Sequence, residues 1–186
     1  MTIPSVKELN PQIVRRLSRI QAFLLDVDGV LTDGSIAMSD YGIENRVITM
    51  MDAESIRAAQ DIGIRFGIIT THASDLVIGR AREVGIHDIY HGMYDKADAY
   101  VEFRQLYALQ DEQIAFMGDG ILDVSVLKRV GFAATPSNAH AAARMAAHYV
   151  SRYRGGYGAV REVLTMLVRV HEHRDQEAAT SAGRIL

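Results

Sequence analysis

The sequence contains no cysteine among its 186 residues. This absence excludes disulfide bonds, thiolate metal sites and cysteine nucleophiles. No run of apolar residues is long enough to span a bilayer. The polar residues 1–10 lack the apolar core of a secretion signal, so we expect a cytoplasmic protein. The formal net charge of −3 gives no general reason to expect nucleic acid or an acidic membrane as a partner.

Hydrophobic residues make up 48% of the chain, which is enough for one domain with a substantial core. Short β-prone apolar runs alternate with segments of helical spacing, and acids or hydroxyls recur where the runs end. This pattern predicts an α/β fold, a Rossmann-like parallel sheet with helices on both faces, in a single domain over residues 1–186. A turn-rich centre between β-prone flanks predicts a β-hairpin insertion over about residues 34–50. The last helix is expected to end near His171, before a frayed tail over about residues 174–186.

The apolar run of residues 23–25 ends abruptly in two carboxylates, Asp26 and Asp28. Such a run is typical of a buried parallel strand, and open α/β sheets bind ligands at the carboxyl ends of their strands. Side chains in an extended chain alternate with a period of two, so both carboxylates can face one site. A divalent cation such as Mg²⁺, which prefers oxygen ligands, would relieve their repulsion. The pattern predicts that Asp26 is a nucleophile or metal ligand and Asp28 an acid/base; the plain structural alternative is an acidic turn.

The longer string over residues 26–34, Asp-Val-Asp-Gly-Val-Leu-Thr-Asp-Gly, resembles the first motif of the haloacid dehalogenase-like phosphohydrolases. It is most similar to the small branch that contains 3-deoxy-D-manno-octulosonate 8-phosphate phosphatase. Segments similar to the other three motifs follow in the expected order, at Thr70, residues 92–96 and residues 118–123. Residues 155–162 resemble the branch's Gly-Gly-x-Gly-Ala-Val-Arg-Glu signature. The resemblance implies the fold of that superfamily, with the hairpin in place of a cap domain.

The resemblance also implies a mechanism through an aspartyl-phosphate. Asp26 would attack the phosphate, and Asp28 would protonate the leaving alkoxide and then deprotonate the attacking water. Mg²⁺ would be held by Asp26, the backbone carbonyl of Asp28, and Asp119. Thr70 and Lys96 would balance the charge of the phosphoryl oxygens. Thr70 is also a candidate cap for the helix that follows it.

Further residues take supporting or substrate-facing roles by the same resemblance. Asp123 would support Lys96 or a metal-bound water. Asp52, which is also a candidate helix N-cap, lies in a segment that faces the substrate in the branch. Thr71 and His72 stand where the branch has glycine and a basic or polar residue, and His72 is a candidate phosphate or carboxylate contact. Arg154 is a candidate substrate contact, with a solvated arginine as the alternative.

Two features of the branch bear on assembly and on activity. Its hairpins join strands of neighbouring subunits, so the resemblance implies a homotetramer in which another chain partly closes the active site. The common fourth motif has a second aspartate where this chain has Gly120. We expect this substitution to weaken Mg²⁺ binding or to leave water in place of the missing carboxylate.

These observations favour a Mg²⁺-dependent phosphatase acting on a sugar-acid phosphate such as 3-deoxy-D-manno-octulosonate 8-phosphate. A dehalogenase is disfavoured because its chemistry needs neither Asp28 nor a metal, and a mutase because no cap domain shields the intermediate. The alternative is a catalytically weakened relative that binds a sugar phosphate or a partner protein. Three departures from the residues usual in the branch favour that alternative, namely Gly120, Thr71 and Ala53. Retention of six site residues favours the enzyme: Asp26, Asp28, Thr70, Lys96, Asp119 and Asp123.

Overall fold

A computed structural model describes residues 3–35, 37–38, 44–45, 50–72 and 75–182 of the chain. Its main feature is a six-stranded sheet in the order β5-β4-β1-β6-β7-β8. Every neighbouring pair of these strands is parallel. The strands are β1 (Ala22–Leu25), β4 (Arg65–Ile69), β5 (Asp88–Tyr90), β6 (Ile114–Met117), β7 (Phe132–Thr135) and β8 (Tyr149–Val150).

Helices cover both faces of the sheet, as the sequence predicted. They are α1 (Pro11–Leu17), α2 (Met50–Asp61), α3 (Asp75–Glu83), α4 (Lys96–Leu106), α5 (Val124–Leu127), α6 (Ala141–Ala146) and α7 (Ala159–Ala182). Phe23 and Leu25 of β1 pack in an apolar cluster with residues of α1, α2, α3 and α7. Ala22 and Leu24 point to the opposite cluster, which holds residues of α4, α5 and α6. The alternation along β1 therefore gives the sheet an apolar layer on each side, and the α/β prediction is confirmed.

The register of the central strands brings the ends of three of them to one edge. Leu25 of β1 is paired with Ile68 of β4 and with Met117 of β6. The chain leaves each strand within two residues of these positions, so the side chains that follow share that edge. Parallel strands end on the same side of a sheet, which is where open α/β folds bind their ligands.

The predicted hairpin is present as two short antiparallel strands, β2 (Ala37–Met38) and β3 (Glu44–Asn45). They form a separate two-stranded sheet. The predicted turn over residues 39–42 lies outside the described residues. Within the part of the chain that the structure describes, no helix is both long and apolar enough to cross a membrane.

Two predicted boundaries are wrong. Helix α7 continues to Ala182, past the predicted end near His171, because the following residues are good helix formers. Arg174 also ties this part of α7 to the body of the protein, since its Nη1 donates to the carbonyl of Ser18 at 3.0 Å. Helix α2 begins at Met50, so Asp52 lies in the first helical turn and is not the N-cap.

Candidate active site

Three predicted site residues lie at the carboxyl edge of adjacent strands. Asp26 directly follows β1, Thr70 directly follows β4, and Asp119 comes two residues after β6. Backbone hydrogen bonds fix the residues that follow the strands. The amide of Asp26 donates to the carbonyl of Met117 at 2.9 Å, and the amide of Thr70 donates to the carbonyl of Tyr90 at 2.9 Å. The sheet order therefore places Asp26 between the other two.

A buried lysine joins two of the carboxylates. Lys96 is the first residue of α4 and is only 2% exposed. Its Nζ lies 2.8 Å from Oδ2 of Asp26 and 2.6 Å from Oδ1 of Asp123. The carboxylate of Asp95 accepts the amide of Ala97 and caps α4 at this point. The cap and the two ion pairs fix the ammonium group beside Asp26.

Asp123 has partners on both oxygens. While Oδ1 contacts Lys96, Oδ2 accepts the backbone amides of Asp119 and Gly120 at 2.9 and 2.8 Å. The side chain of Asp123 lies so close to the backbone of residue 118 that this residue must be glycine, because a Cβ there would lie 2.4 Å from Cγ of Asp123. Asp123 therefore joins the turn after β6 to the ammonium group of Lys96.

The carboxylates form one cluster that fits a divalent cation. Oxygen atoms of Asp26, Asp119 and Asp123 all lie within 4.8 Å of one another. Gly29, at φ +85°, lets Asp119 lie against the loop after β1, since a Cβ there would sit 2.2 Å from Oδ2 of Asp119. An all-oxygen donor set of this kind suits Mg²⁺. Asp123 and Asp26 both have partners on each oxygen, since Oδ1 of Asp26 accepts the amide of Val27 at 2.7 Å and Oδ2 contacts Lys96. All three carboxylates are therefore candidate ligands of the ion.

The electrostatics of the cluster favour added positive charge. Burial raises the pKa of Asp26 to about 7, and the Asp123 carboxylate adds to the rise while Lys96 opposes it. Burial and Asp123 likewise raise the pKa of Asp119 to about 6. Burial alone would lower the pKa of Lys96, but Asp26 and Asp123 outweigh burial and raise it. The single ammonium group of Lys96 therefore does not neutralise the three carboxylates. A bound divalent cation would supply the missing positive charge.

Asp28 lies on the loop after β1 and outside the carboxylate cluster. Its side chain is half-buried, and Oδ1 lies 3.4 Å from Oγ1 of Thr32. Thr32 is fully buried and also accepts the amide of Gly34 at 3.2 Å. Sequence reasoning missed Thr32 as a support, although its place within the first motif was a usable signal. Asp28 still lies near enough to the cluster for its charge to contribute to the raised pKa of Asp119.

The end of β4 carries the predicted substrate-facing group. The hydroxyl of Thr70 donates to the carbonyl of His72 at 3.0 Å, and the next helix begins only at Asp75, so Thr70 is not its cap. His72 is exposed, and its Nδ1 lies 3.1 Å from Oγ1 of Thr71. The ring of Tyr94 meets the ring of His72 edge-on, with centroids 6.5 Å apart. Sequence reasoning missed Tyr94, for which the linear pattern carried no signal.

The two remaining predicted contacts lie outside the carboxylate cluster. Asp52 is fully buried, and its Oδ1 accepts the backbone amide of Arg161 near the start of α7 at 2.9 Å. Arg154 is exposed and precedes two buried glycines. The structure thus brings together Asp26, Lys96, Asp119 and Asp123, places Thr70 and Asp28 at the same edge, and engages Asp52 with α7.

Comparison with known proteins gives consistent matches. A family model described as haloacid dehalogenase-like hydrolase matches residues 73–164. A 3-deoxy-D-manno-octulosonate 8-phosphate phosphatase of Yersinia pestis is 36% identical over 156 residues, covering 84% of this chain and 83% of that protein. A crystal structure of the Yersinia pestis enzyme superposes with a TM-score of 0.86 at 35% identity, over 88% of this chain and 89% of the other.

A second solved structure, the phosphatase of the same name from Moraxella catarrhalis, has a TM-score of 0.85 at 31% identity. The match covers 91% of this chain and 97% of that one, and that crystal contains a magnesium ion, a phosphate ion and a KDO molecule. The chain therefore belongs to the haloacid dehalogenase-like hydrolases. Within that superfamily it is a phosphatase, as are the relatives that match across most of its length.

Proposed function

We propose that the protein is a Mg²⁺-dependent phosphatase that removes the terminal phosphate of a sugar acid, such as 3-deoxy-D-manno-octulosonate 8-phosphate. The observation that carries the proposal is the contact of Lys96 with Asp26 beside the carboxylate of Asp119. This contact supports Asp26 as the nucleophile, Lys96 as a fixed cation and Asp119 as a metal ligand at one strand edge. The substrates named for the relatives support the choice of a sugar-acid phosphate.

The proposed reaction has two displacements on phosphorus. A carboxylate oxygen of Asp26 forms a bond to phosphorus as the bond to the sugar oxygen breaks, and Asp28 gives that oxygen its proton. The result is a free sugar acid and an aspartyl-phosphate at Asp26. Asp28, now ionised, takes a proton from water, and the water oxygen bonds to phosphorus as the bond between phosphorus and Asp26 breaks, which releases inorganic phosphate. Both carboxyl groups return to their starting states.

Fixed charges hold the phosphoryl group during both steps. Lys96 is kept in place by Asp26 and Asp123, so it can neutralise phosphoryl oxygens without reorganising. The Thr70 hydroxyl, at the neighbouring strand end, would exchange its bond to the carbonyl of His72 for one to a phosphoryl oxygen. Asp26, Asp119 and the main-chain carbonyl of Asp28 would hold Mg²⁺, and when bound the ion supplies positive charge against the phosphoryl oxygens. Asp123 serves by fixing Lys96 and the turn that carries Asp119.

The substrate's sugar is assigned to half-buried and exposed groups around this site. Thr71, His72 and Arg154 are proposed contacts, and Tyr94 extends the exposed surface beside His72. Contact through Asp52 stays a prediction, as do the homotetramer and the cytoplasmic location. With Gly120, this chain has one carboxylate fewer than the common fourth motif. We propose that water takes the place of the missing carboxylate.

The test is phosphate release from a panel of sugar-acid phosphates and from 4-nitrophenyl phosphate, with Mg²⁺ or with chelator. We expect turnover that needs Mg²⁺ and falls by at least about 10⁴ in Asp26→Asn, the nearly isosteric control. The substrate with the highest kcat/KM identifies the sugar acid. Absence of turnover on every compound, together with a rise in Tm when sugar phosphate is added, would instead establish the weakened relative that only binds.

A further inference from the structure

Two glycines near the C-terminal helix lie directly against the loop that carries Asp28. A Cβ on Gly155 would lie 1.7 Å from the carbonyl oxygen of Gly29. The amide of Gly156 donates to the carbonyl of Val30 at 3.0 Å. Backbone therefore packs on backbone, without side chains between. We call Gly155 and Gly156 the glycine pair.

The side chain of Asn138 contacts the glycine pair. Oδ1 of Asn138, in the turn after β7, accepts the amide of Gly155 at 2.9 Å. The same turn reaches the metal cluster, because the amide of His140 donates to the carbonyl of Asp119 at 2.8 Å. The turn over residues 137–140 thus touches both the loop of Asp28, through the glycine pair, and the segment of Asp119.

The loop of Asp28 needs such support. Gly29 follows Asp28 at φ +85°, a region that glycine enters readily and from which its backbone also moves readily. The proposed function requires this peptide to present both the carboxyl group of Asp28 and its main-chain carbonyl in fixed positions. A displacement of about 1 Å at a reacting group can cost about 10²-fold in rate.

We propose that Asn138 is a positioning residue, which holds the glycine pair against the loop and thereby fixes Asp28 for proton transfer and for its main-chain share of the metal site. The inference rests on the proposed function. Asn138 acts through the glycine pair and touches neither phosphate nor ion. Because its side chain is exposed, truncation leaves no cavity in the core.

The experiment compares four variants with wild type. Asn138→Ala removes the acceptor, and Asn138→Asp keeps an oxygen in its place. Gly155→Ala introduces a methyl group against Gly29, and Gly79→Ala is the control, since a Cβ at that helical glycine meets nothing within 4 Å. For each we would measure kcat and KM on 4-nitrophenyl phosphate, and separately the affinity for Mg²⁺ alone by calorimetry.

We expect kcat to fall about 10- to 100-fold in Asn138→Ala and Gly155→Ala, with KM nearly unchanged and weaker Mg²⁺ binding. Asn138→Asp should recover most of both properties, and Gly79→Ala should match wild type. Wild-type values in Asn138→Ala, or an equal loss in Asn138→Asp, would overturn the inference. An inactive wild type whose Mg²⁺ affinity still drops in Asn138→Ala would refute the phosphatase proposal but support the positioning role. A wild type that binds no Mg²⁺ would overturn both.

Discussion

At the scale of single residues, the positive charge of Lys96 compensates part of the negative charge of the site. It is the fully enclosed partner of two buried carboxylates, Asp26 and Asp123. A buried ion pair adds little net stability, but removing one member leaves the others uncompensated. Loss of the lysine should therefore affect stability through the same contacts that support its proposed catalytic role.

Replacing Lys96 by methionine should destabilise the metal-free protein by about 3 kcal/mol at neutral pH. A second change, Asp123→Asn, should recover part of this loss, because it removes one of the carboxylates left without a partner. Urea unfolding of the two single variants and the double variant measures the coupling. Lys128→Met, at an exposed lysine, is the matched control. Equal midpoints for the two lysine variants would contradict the prediction.

The raised pKa values of Asp26 and Asp119 predict how stability depends on pH. In the metal-free fold they are about 7 and about 6, against a usual value of 3.8. A pKa raised by folding means that the fold favours the protonated form. The stabilisation is full below the unfolded pKa and is lost as pH rises through the folded pKa. The metal-free protein should therefore lose stability between about pH 4 and about pH 7.

Thermal unfolding with chelator and with excess Mg²⁺ checks this dependence. Mg²⁺ binds the ionised carboxylates, so the rise in Tm that it produces should grow over the same pH range. Asp26→Asn removes the larger of the two titrations and should flatten the curve measured with chelator. If the increment from Mg²⁺ were the same at about pH 5 and about pH 8, the assignment of raised pKa values to this site would be wrong.

Sequence reasoning at this scale could find acids at strand ends, because a short apolar run followed by carboxylates is a local pattern. Asp26 and Asp119 were found in that way. It could not find that Asn138 contacts Gly155, since that contact joins two loops and depends on how β7 and β8 lie in the sheet. Tyr94 escaped for the same reason, because only the sheet order brings it beside His72.

At the scale of secondary structure elements, Asp52 links two helices. It sits in the first turn of α2, yet its carboxylate accepts the amide of Arg161 in the first turn of α7. A carboxylate there satisfies an amide without a helical partner and favours the positive end of the helix dipole. The position therefore has a structural role that its predicted place in the substrate-facing segment did not reveal.

Asp52→Ala should lower the free energy of unfolding by about 1–2 kcal/mol, the usual cost of losing such a cap. Phosphate release from 4-nitrophenyl phosphate should stay close to wild type, because Asp52 is buried against α7. Denaturant unfolding and steady-state kinetics on the same preparation separate the two effects. A higher KM for the sugar-acid substrate with unchanged stability would instead support the substrate contact that the sequence predicted.

The boundaries of elements were harder to predict than their order. The polar, small residues 174–186 predict a frayed tail, but several of them have high helix propensity, and α7 continues to Ala182. A tertiary contact also stabilises this end of α7, since Arg174 donates to the carbonyl of Ser18, which is far away in the sequence. The order of the elements could be predicted because long apolar patterns set the alternation of strands and helices. The ends of the elements depend on single contacts and could not.

At the scale of the whole molecule, large apolar side chains are exposed beside the active site. They follow the carboxyl ends of three different strands: Tyr94 after β5, Ile121 and Leu122 after β6, and Tyr157 after β8. Among the residues that the structure describes, the short β2–β3 hairpin forms a two-stranded sheet of its own. An isolated hairpin of this size is marginal in water, and exposed edges favour pairing with another chain.

These features support the homotetramer predicted from the sequence, with a neighbouring copy covering the active-site edge. Light scattering should give four times the 20.6 kDa of one chain, independent of dilution in the micromolar range. Replacing residues 36–46 by a short Gly-Ser linker should yield smaller species, because the hairpins could no longer join. Activity on a sugar-acid phosphate should fall more than activity on 4-nitrophenyl phosphate, since only the larger substrate reaches the neighbouring chain. A wild-type protein that runs as a monomer while turning over its sugar-acid substrate at full rate would show that one chain completes the site.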